Sequence, residues 1–128
     1  MCKKANGFKS MEGIFLRLIN KTSNIIISEN VMVANTYFKR LKGLMFTKEL
    51  SNQSALHIIP CNEIHTFNMR YSIDVLYLDK NNNILAIEEE MKPGKIGKRV
   101  NNAQSVVELP SGKVKRVNVK TGQEVAFL

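Results

Sequence analysis

Residues 72–91 read SIDVLYLDKNNNILAIEEEM, and this stretch decides the fold class. Two apolar runs of strand length, 72–78 and 84–91, flank the polar segment Asp79–Asn83. Runs rich in β-branched residues that are joined by a few asparagines are typical of a β-hairpin, because asparagine tolerates the positive φ angles of tight turns. The stretch therefore predicts two antiparallel strands joined by a turn.

Similar apolar runs recur along the chain. They lie at residues 14–19, 24–28, 31–34, 55–59, 105–109 and 124–127. Residues 20–23 separate the first two runs as a turn would, and Pro60 ends the fourth run because proline cannot donate to a sheet. Many short strands with few helical segments between them predict a mainly β fold, an antiparallel sandwich or barrel with one or two short helices.

One helix is predicted near residue 40. Asn35 and Thr36 are suitable cap residues, and the apolar residues that follow share one helical face, namely Tyr37, Phe38, Leu41 and Leu44. Gly43 lies where helices commonly end in a left-handed residue, so this helix should span about two turns. Periodicity leaves residues 111–120 open between a short helix and a strand.

Length and composition indicate one domain. A chain of 128 residues with 44% hydrophobic residues can bury a single core. We expect a flexible segment at 1–12 followed by one β domain at 13–128. Cys2 and Cys61 are far apart, which favours reduced thiols and a cytoplasmic protein. The apolar run at 14–16 is too short for a signal peptide or a membrane span, so no membrane association is expected.

The formal net charge of +8 raises the question of nucleic-acid binding, because clustered Lys and Arg bind phosphate. The densest basic stretches, 92–99 and 113–116, fit solvated loops or faces. Neither an aromatic RNA-binding motif nor zinc-finger spacing accompanies them. A basic nucleic-acid-associated domain is therefore the least favoured functional hypothesis.

His57, Cys61 and His65 recur every four residues. On one helix this spacing would suggest a metal site, but Pro60 would break the helix, and residues four apart on a strand lie about 13 Å apart. If a sharp turn brought them together, Cys61 and His65, with His57 or Asp74, could hold zinc or activate the thiolate. We favour the other interpretation, in which Cys61 is a small buried hydrophobe and His65 bonds a backbone group. No cofactor is predicted.

Asp74 and Glu108 each lie within an apolar run, where a buried carboxylate needs a partner. For Asp74 the candidate partners are Arg40, Arg70 and the Thr66 hydroxyl. The favoured alternative is a carboxylate that accepts backbone N–H groups and fixes a loop, and the functional alternative is a ligand-facing acid or base. If both carboxylates faced one cavity, they could perform acid–base chemistry together.

Four motifs follow one another in the chain: Arg40-x-x-Gly43-Leu44-Met45-Phe46, Ile64-His65-Thr66-Phe67-x-Met69-x-x-x-Ile73-Asp74-Val75-x-Tyr77-Leu78-Asp79, Val107-Glu108-Leu109-Pro110-Ser111-Gly112 and Lys120-x-Gly122-x-x-Val125. Together they resemble the prokaryotic family called domain of unknown function 192, over roughly residues 31–126. The resemblance implies a compact, mainly β fold with a short helix before the first Gly-Leu-Met and another after Leu-Pro-x-Gly, which favours a helix at 112–118. It brings no activity, cofactor or substrate, only motif positions: Arg40, Gly43, Met45, Thr66, Met69, Asp74, Glu108 and Gly112.

The leading functional hypothesis is a binding module with a cleft near Thr66, Met69 and Asp74, which recognises a small polar ligand or a protein segment. Its candidate ligand-binding residues are Arg40, Met45, Thr66, Met69, Asp74 and Glu108. The alternative is a thiol- or metal-dependent enzyme that uses Cys61, His65 and Asp74. The two hypotheses can be compared by asking whether Asp74 points into a cavity or is sealed by backbone donors.

Overall fold

A computed structural model describes residues 16–128. Within that range the chain forms seven strands and two short helices, β1 (Leu16–Asn20), β2 (Ile25–Ala34), α1 (Tyr37–Lys42), β3 (Ser54–Ile58), β4 (Ile73–Leu78), β5 (Ile84–Met91), β6 (Ser105–Pro110), α2 (Lys113–Arg116) and β7 (Val125–Phe127). The predicted mainly β fold with one or two short helices is confirmed. The predicted flexible segment at 1–12, with Cys2, and the start of the first predicted strand lie outside the described residues.

The strands form one sheet in the order β5-β4-β6-β3-β2-β1-β7. Neighbouring strands are antiparallel except β2 and β3, which pair in parallel after α1 and its loop carry the chain back across the sheet. The edges meet at one end, where the Ile84 amide donates to the Gln123 carbonyl at 2.8 Å and the Val125 amide donates to the Asn82 carbonyl at 3.0 Å. The sheet is therefore curled into a half-barrel.

The hairpin predicted from residues 72–91 is formed by β4 and β5. Its turn contains Asn82 at a φ of +64°. The Asp79 Oδ1 atom accepts hydrogen bonds from the backbone amides of Asn81 at 2.8 Å and Asn83 at 2.9 Å. These bonds lower the pKa of Asp79, with the bond from Asn83 as the largest cause. The local polar residues thus fix the turn as the sequence predicts.

Each face of the curled sheet carries its own core. The inner core draws buried residues from every strand and from α2, including Leu18, Ile27, Ala55, Leu76, Ile84, Val107, Val114 and Val125. The outer core contains β4 and β6 residues such as Val75, Tyr77 and Val106, and it is covered by Leu44, Ile64, Met69 and Ala103 from the connecting segments. The pocket described below lies on this outer side.

Helix α1 begins and ends as predicted, but its apolar face is not buried. The Thr36 hydroxyl accepts from the Lys39 amide at 3.2 Å, and Gly43 ends the helix at φ +49° and ψ −124°, a conformation that favours glycine. Tyr37 is 65% exposed and Phe38 is 78% exposed. The periodicity indicated a helix correctly, but of the predicted face only Leu44, just after the helix, is buried, and the apolar side chains within α1 are exposed.

The second helix resolves the question left open at 111–120. Residues Lys113–Arg116 form α2, as the family resemblance favours. Gly112 precedes the helix at a φ of +87°, in the left-handed region.

Gly97 is required by a close approach of the backbone to two polar side chains. A Cβ atom on Gly97 would lie 2.7 Å from Glu88 Oε1 and 2.9 Å from the Tyr77 hydroxyl. These two groups form a hydrogen bond of 2.5 Å, and Glu88 Oε1 also accepts from the Lys98 amide at 3.1 Å. The backbone of residues 97–98 is therefore fastened directly to this pair.

We expect Gly97→Ala to lower the free energy of unfolding by about 2–3 kcal/mol, because the methyl group must separate Tyr77 from Glu88 or displace the backbone. Urea denaturation measures this loss. Gly94→Ala is the matched control, because Gly94 has open space around its Cβ position and only its φ of +79° opposes alanine. That strain costs about 1 kcal/mol. Equal losses in the two variants would contradict the proposed close approach.

Candidate binding pocket

A pocket of about 240 Å³ opens on the outer side of the sheet. One wall consists of α1 and the turn that follows it, and the opposite wall belongs to residues 58–69. The first wall contributes Tyr37, Arg40, Leu41 and Met45. The second wall contributes Cys61, Glu63, His65 and Met69, and β6 contributes Glu108. The pocket thus combines residues from three distant parts of the sequence.

Glu108 is the most unusual residue of this pocket. Its side chain is 3% exposed, and no atom of residues 16–128 forms a hydrogen bond with its buried Oε1 atom. Burial raises the pKa of Glu108 to about 8. At neutral pH the side chain is therefore mainly a neutral carboxylic acid, which can donate one hydrogen bond and accept others.

The position of Glu108 follows from the register of the sheet. In the β4–β6 pair, Glu108 is opposite Val75, whose side chain belongs to the outer core. Residues opposite each other in a ladder point to the same face, so Glu108 also faces outward. Asp74 is opposite Leu109, a residue of the inner core. The two carboxylates lie on opposite faces, and the suggested pair facing one cavity does not form.

Asp74 is sealed by backbone donors. It is fully buried, and its Oδ1 atom accepts from the Glu90 amide at 2.8 Å while Oδ2 accepts from the Val114 amide at 2.9 Å. None of the expected partners, Arg40, Arg70 and the Thr66 hydroxyl, supplies these bonds. Asp74 joins the end of β5 to the first turn of α2, and the pocket lining does not include it.

Thr66 also has a structural position. Its side chain is fully buried, and its hydroxyl donates to the Lys92 carbonyl at 2.6 Å and accepts from the Lys95 amide at 2.8 Å. These bonds fasten residues 92–95 against the segment that contains Thr66. Of the predicted cleft residues Thr66, Met69 and Asp74, only Met69 lines the pocket.

The pocket lining includes the other predicted ligand-binding residues. Arg40, Met45 and Glu108 all contribute to it, and so do the weak metal candidates Cys61 and His65. The structure therefore brings together six of the eight residues singled out from the sequence, although it excludes two of the three that the sequence placed at the cleft, Thr66 and Asp74.

Cys61 and His65 are engaged with nearby backbone. The Cys61 thiol donates to the Glu63 carbonyl at 3.2 Å, and burial is the main cause that raises its pKa. His65 Nδ1 accepts from the Phe67 amide at 3.1 Å, and the two rings stack with centroids 4.9 Å apart. A raised thiol pKa disfavours the thiolate that nucleophilic chemistry requires.

His57 lies apart from these residues. It is opposite Val107 of the inner core, and its ring stacks on Phe127 with a centroid distance of 4.2 Å. Across the described range of 16–128, the structure contains no cluster of three or more His, Cys, Asp and Glu side chains arranged for a metal ion. The sequence spacing of His57, Cys61 and His65 thus reflects a strand followed by a turn, and the thiol or metal hypothesis gains no support.

Sequence reasoning missed the aromatic and aliphatic residues around the pocket mouth. Tyr37 and Leu41 were expected only to share a helix face, and both line the pocket. Phe46 and Phe67, which were quoted only as motif members, are 60% and 43% exposed. The sequence did contain a signal for these residues. A large apolar side chain in a motif that also contains turn residues is buried only where a core covers it, and otherwise it stays exposed.

Within residues 16–128, no helix has both the length and the apolar character that crossing a bilayer would require.

Comparisons with known proteins identify relatives over most of the chain. A UPF0127 protein of Thermococcus sibiricus is 32% identical over 113 residues, which are 84% of this chain and 72% of the relative. A UPF0127 protein of Pyrococcus horikoshii is 28% identical over 115 residues, covering 86% of this chain and 97% of the relative. Both names denote an uncharacterised family.

Two solved structures share the fold. A Novosphingobium aromaticivorans protein of unknown function superposes with a TM-score of 0.76 at 18% identity, covering 87% of this chain and 82% of that one. A Sinorhizobium meliloti protein, described as a candidate transcription regulator, gives a TM-score of 0.76 at 23% identity, covering 88% of this chain and 91% of that one. At these identities the similarity concerns the fold alone.

A family model described as "Uncharacterized ACR" matches residues 18–127, which is nearly the whole described range and agrees with the motifs found in the sequence. The chain therefore belongs to the domain of unknown function 192 family, whose activity is unassigned.

Proposed function

We propose that this protein is a binding module whose pocket accepts a group of side-chain size with an apolar body and a carboxamide-like end. The pocket volume of about 240 Å³ lies below the range of about 300–1,000 Å³ that accommodates drug-sized ligands and cofactors. Its walls include Leu41, Met45 and Met69, which suit an aliphatic or aromatic body. The size and the walls favour one anchoring group over a large cofactor.

The unpartnered Glu108 carboxyl is the observation that carries this proposal. A buried polar atom without a hydrogen bond costs about 1–3 kcal/mol, and a ligand that supplies the bond recovers this energy. A neutral carboxyl both donates and accepts, and a carboxamide offers the matching acceptor and donor. An anionic ligand offers only acceptors, and an ammonium ligand offers only donors. Of these three ligand types, only the neutral amide matches both the donor and the acceptor of the Glu108 carboxyl near pH 7.

Titration of the protein with small probes, followed by amide chemical shifts in NMR spectra, tests the proposal. Isovaleramide is expected to shift the amides of Gly43, Cys61 and Glu108 with a Kd of about 1–10 mM, as expected for so small a ligand. Isovalerate and isoamylamine, which share the branched apolar body, should bind at least about fivefold more weakly because they lose half of the pairing.

Two substitutions of Glu108 separate the polar contact from the shape of the pocket. Glu108→Gln keeps a donor and an acceptor and should retain isovaleramide binding, whereas Glu108→Met is unbranched and apolar and should lose the preference for the amide. Glu29→Gln, at an exposed position on β2, is the control. Shifts spread over the whole surface, or an unchanged preference in Glu108→Met, would refute the proposed role of Glu108.

A further inference from the structure

A group of six exposed apolar side chains lies on the segments that form or adjoin the pocket walls. We call it the apolar rim, and it consists of Tyr37, Phe38, Leu41, Phe46, Phe67 and Ile96. Their exposed fractions range from 43% for Phe67 to 78% for Phe38. Isolated exposed apolar residues are common, whereas six on adjoining segments indicate an interaction surface.

Ring contacts and backbone pairings link several of the segments that carry the apolar rim. The rings of Tyr37 and Phe38 meet edge to face with centroids 5.7 Å apart. His65, which lines the pocket, stacks on Phe67 and pairs with Ile96 through a β-bridge. The Phe46 amide donates to the carbonyl of Asn68, the residue after Phe67, at 3.0 Å. The rim thus joins α1, its turn and residues 65–68 into one surface.

Basic side chains accompany the apolar rim. Arg40 and Lys42 line the pocket, and Lys95 and Lys98 flank Ile96 in an exposed segment. Among residues 16–128, Lys21 forms an ion pair with Glu124, and the four basic residues near the rim form none with a carboxylate of this range. Glu63 is the exposed acidic residue of the pocket wall. The surface therefore combines apolar contact area with positive charge that is not neutralised locally.

We infer that the apolar rim and pocket dock an acidic segment of a partner protein, which inserts one side chain into the pocket and lays apolar neighbours on the rim. This inference rests on the proposed function and names the partner class for the same pocket. Acidic residues in the segment complement Arg40, Lys42, Lys95 and Lys98, and such complementarity accelerates and orients association. A glutamine fits the pocket best, because it has an aliphatic stem and a carboxamide end.

A polypeptide explains the shape of this surface better than a bilayer does. An anionic membrane would also attract aromatic and basic residues. However, this surface includes a concave pocket lined by the buried Glu108 carboxyl, and a lipid surface would leave Glu108 without a hydrogen-bond partner. A side chain on a polypeptide can enter the pocket and form that bond.

Selection from a random-peptide library on the immobilised protein tests the inference. Recovered peptides are expected to be enriched in Asp, Glu and large apolar residues around a central glutamine, and to bind at least about tenfold more tightly at about 50 mM than at about 500 mM salt. Their binding should shift the amides of Gly43 and Cys61. No enrichment, or recovered peptides that are neutral or basic, would overturn the inference.

Charge reversal supplies the matched control. The double variant Lys42→Glu and Lys95→Glu should lose at least about tenfold in affinity for the recovered peptides, whereas Lys80→Glu with Lys120→Glu makes the same charge change at exposed positions elsewhere. Equal effects of the two double variants would overturn the inference.

Two further results separate this inference from the proposed function. If isovaleramide binds but no acidic peptide does, the inferred partner class is wrong, whereas the proposed binding of a carboxamide group in the pocket is supported. If acidic peptides bind without shifting pocket amides, the pocket anchor and the inference that depends on it are both wrong. Sedimentation with phosphatidylserine vesicles that depends on Phe38 and Phe67, in the absence of peptide selection, would assign the rim to a membrane surface and overturn the inference.

Discussion

At pH 9 the Glu108→Gln variant is expected to exceed the wild type in free energy of unfolding by about 5 kcal/mol. The wild-type carboxyl has a pKa of about 8 in the folded protein and an ordinary value of 4.5. At pH 9 it must therefore ionise inside an apolar environment, and glutamine has no charge to bury. The two proteins should be nearly equally stable at pH 4.

The direction follows from proton binding. Between pH 4.5 and about 8 the folded protein retains the Glu108 proton that the unfolded chain has released. Stability from this group is thus fully present below pH 4.5 and is lost as the pH rises through about 8. The loss amounts to about 1.4 kcal/mol for each pH unit in this interval.

Urea denaturation of both proteins at several values from pH 6.5 upward measures the effect. Burial lowers the pKa of His57 to about 4 from an ordinary value of 6.5, so the stability that His57 contributes is present above pH 6.5 and is lost as the pH falls towards 4. Measurements above pH 6.5 therefore isolate Glu108 from His57. Glu29→Gln should parallel the wild type. A difference between Glu108→Gln and wild type that does not grow with pH would show that Glu108 is not held neutral.

Replacing Asp74 by alanine is expected to lower the free energy of unfolding by about 4 kcal/mol, because two backbone amides, one buried and one partly buried, lose their acceptor. These are the amides of Glu90 and Val114, bound at 2.8 Å and 2.9 Å. Asp74→Asn keeps one acceptor oxygen but turns an amino group towards the other amide, so we expect a loss of about 2 kcal/mol.

Thermal or urea denaturation gives the total effect, and amide hydrogen exchange locates it. In Asp74→Asn the Val114 and Glu90 amides should exchange faster than the central amides of β4, because the loss begins at α2 and the end of β5. Asp79→Ala is the matched control, since Asp79 also accepts two backbone amides but does so in the exposed hairpin turn. It should cost less than Asp74→Ala. Equal losses would mean that burial does not determine the importance of Asp74.

The local elements could be predicted from the sequence because neighbouring residues determine them. Two apolar runs rich in β-branched residues and the asparagines between them defined the β4–β5 hairpin, and Thr36 with Gly43 defined both ends of α1. For the Asp74 carboxylate the sequence left two alternatives, backbone donors or a ligand, and it favoured the backbone donors found in the structure. Each of these inferences used residues within a few positions of one another or a general cost of burial.

The candidate site could not be predicted to the same degree. The sequence favoured Thr66 and Asp74 as cleft residues, whereas Glu108, which raised the same question, is the carboxyl that lines the pocket. Both carboxylates lie in apolar strands, and a shift of one residue in register reverses the face to which a side chain points. The choice between Asp74 and Glu108 thus depends on strand pairing that is not encoded locally.

The sequence by itself determined the strands, the two turns, the helix ends, the family and the small set of polar residues that burial makes costly. Only the tertiary structure decided the strand order, the curl that joins the sheet edges, and which face of the sheet each carboxylate occupies. It also decided that the apolar face of α1 remains exposed beside the pocket. The physical reason is that periodicity reports which side chains share a face, whereas what covers that face depends on contacts between distant segments.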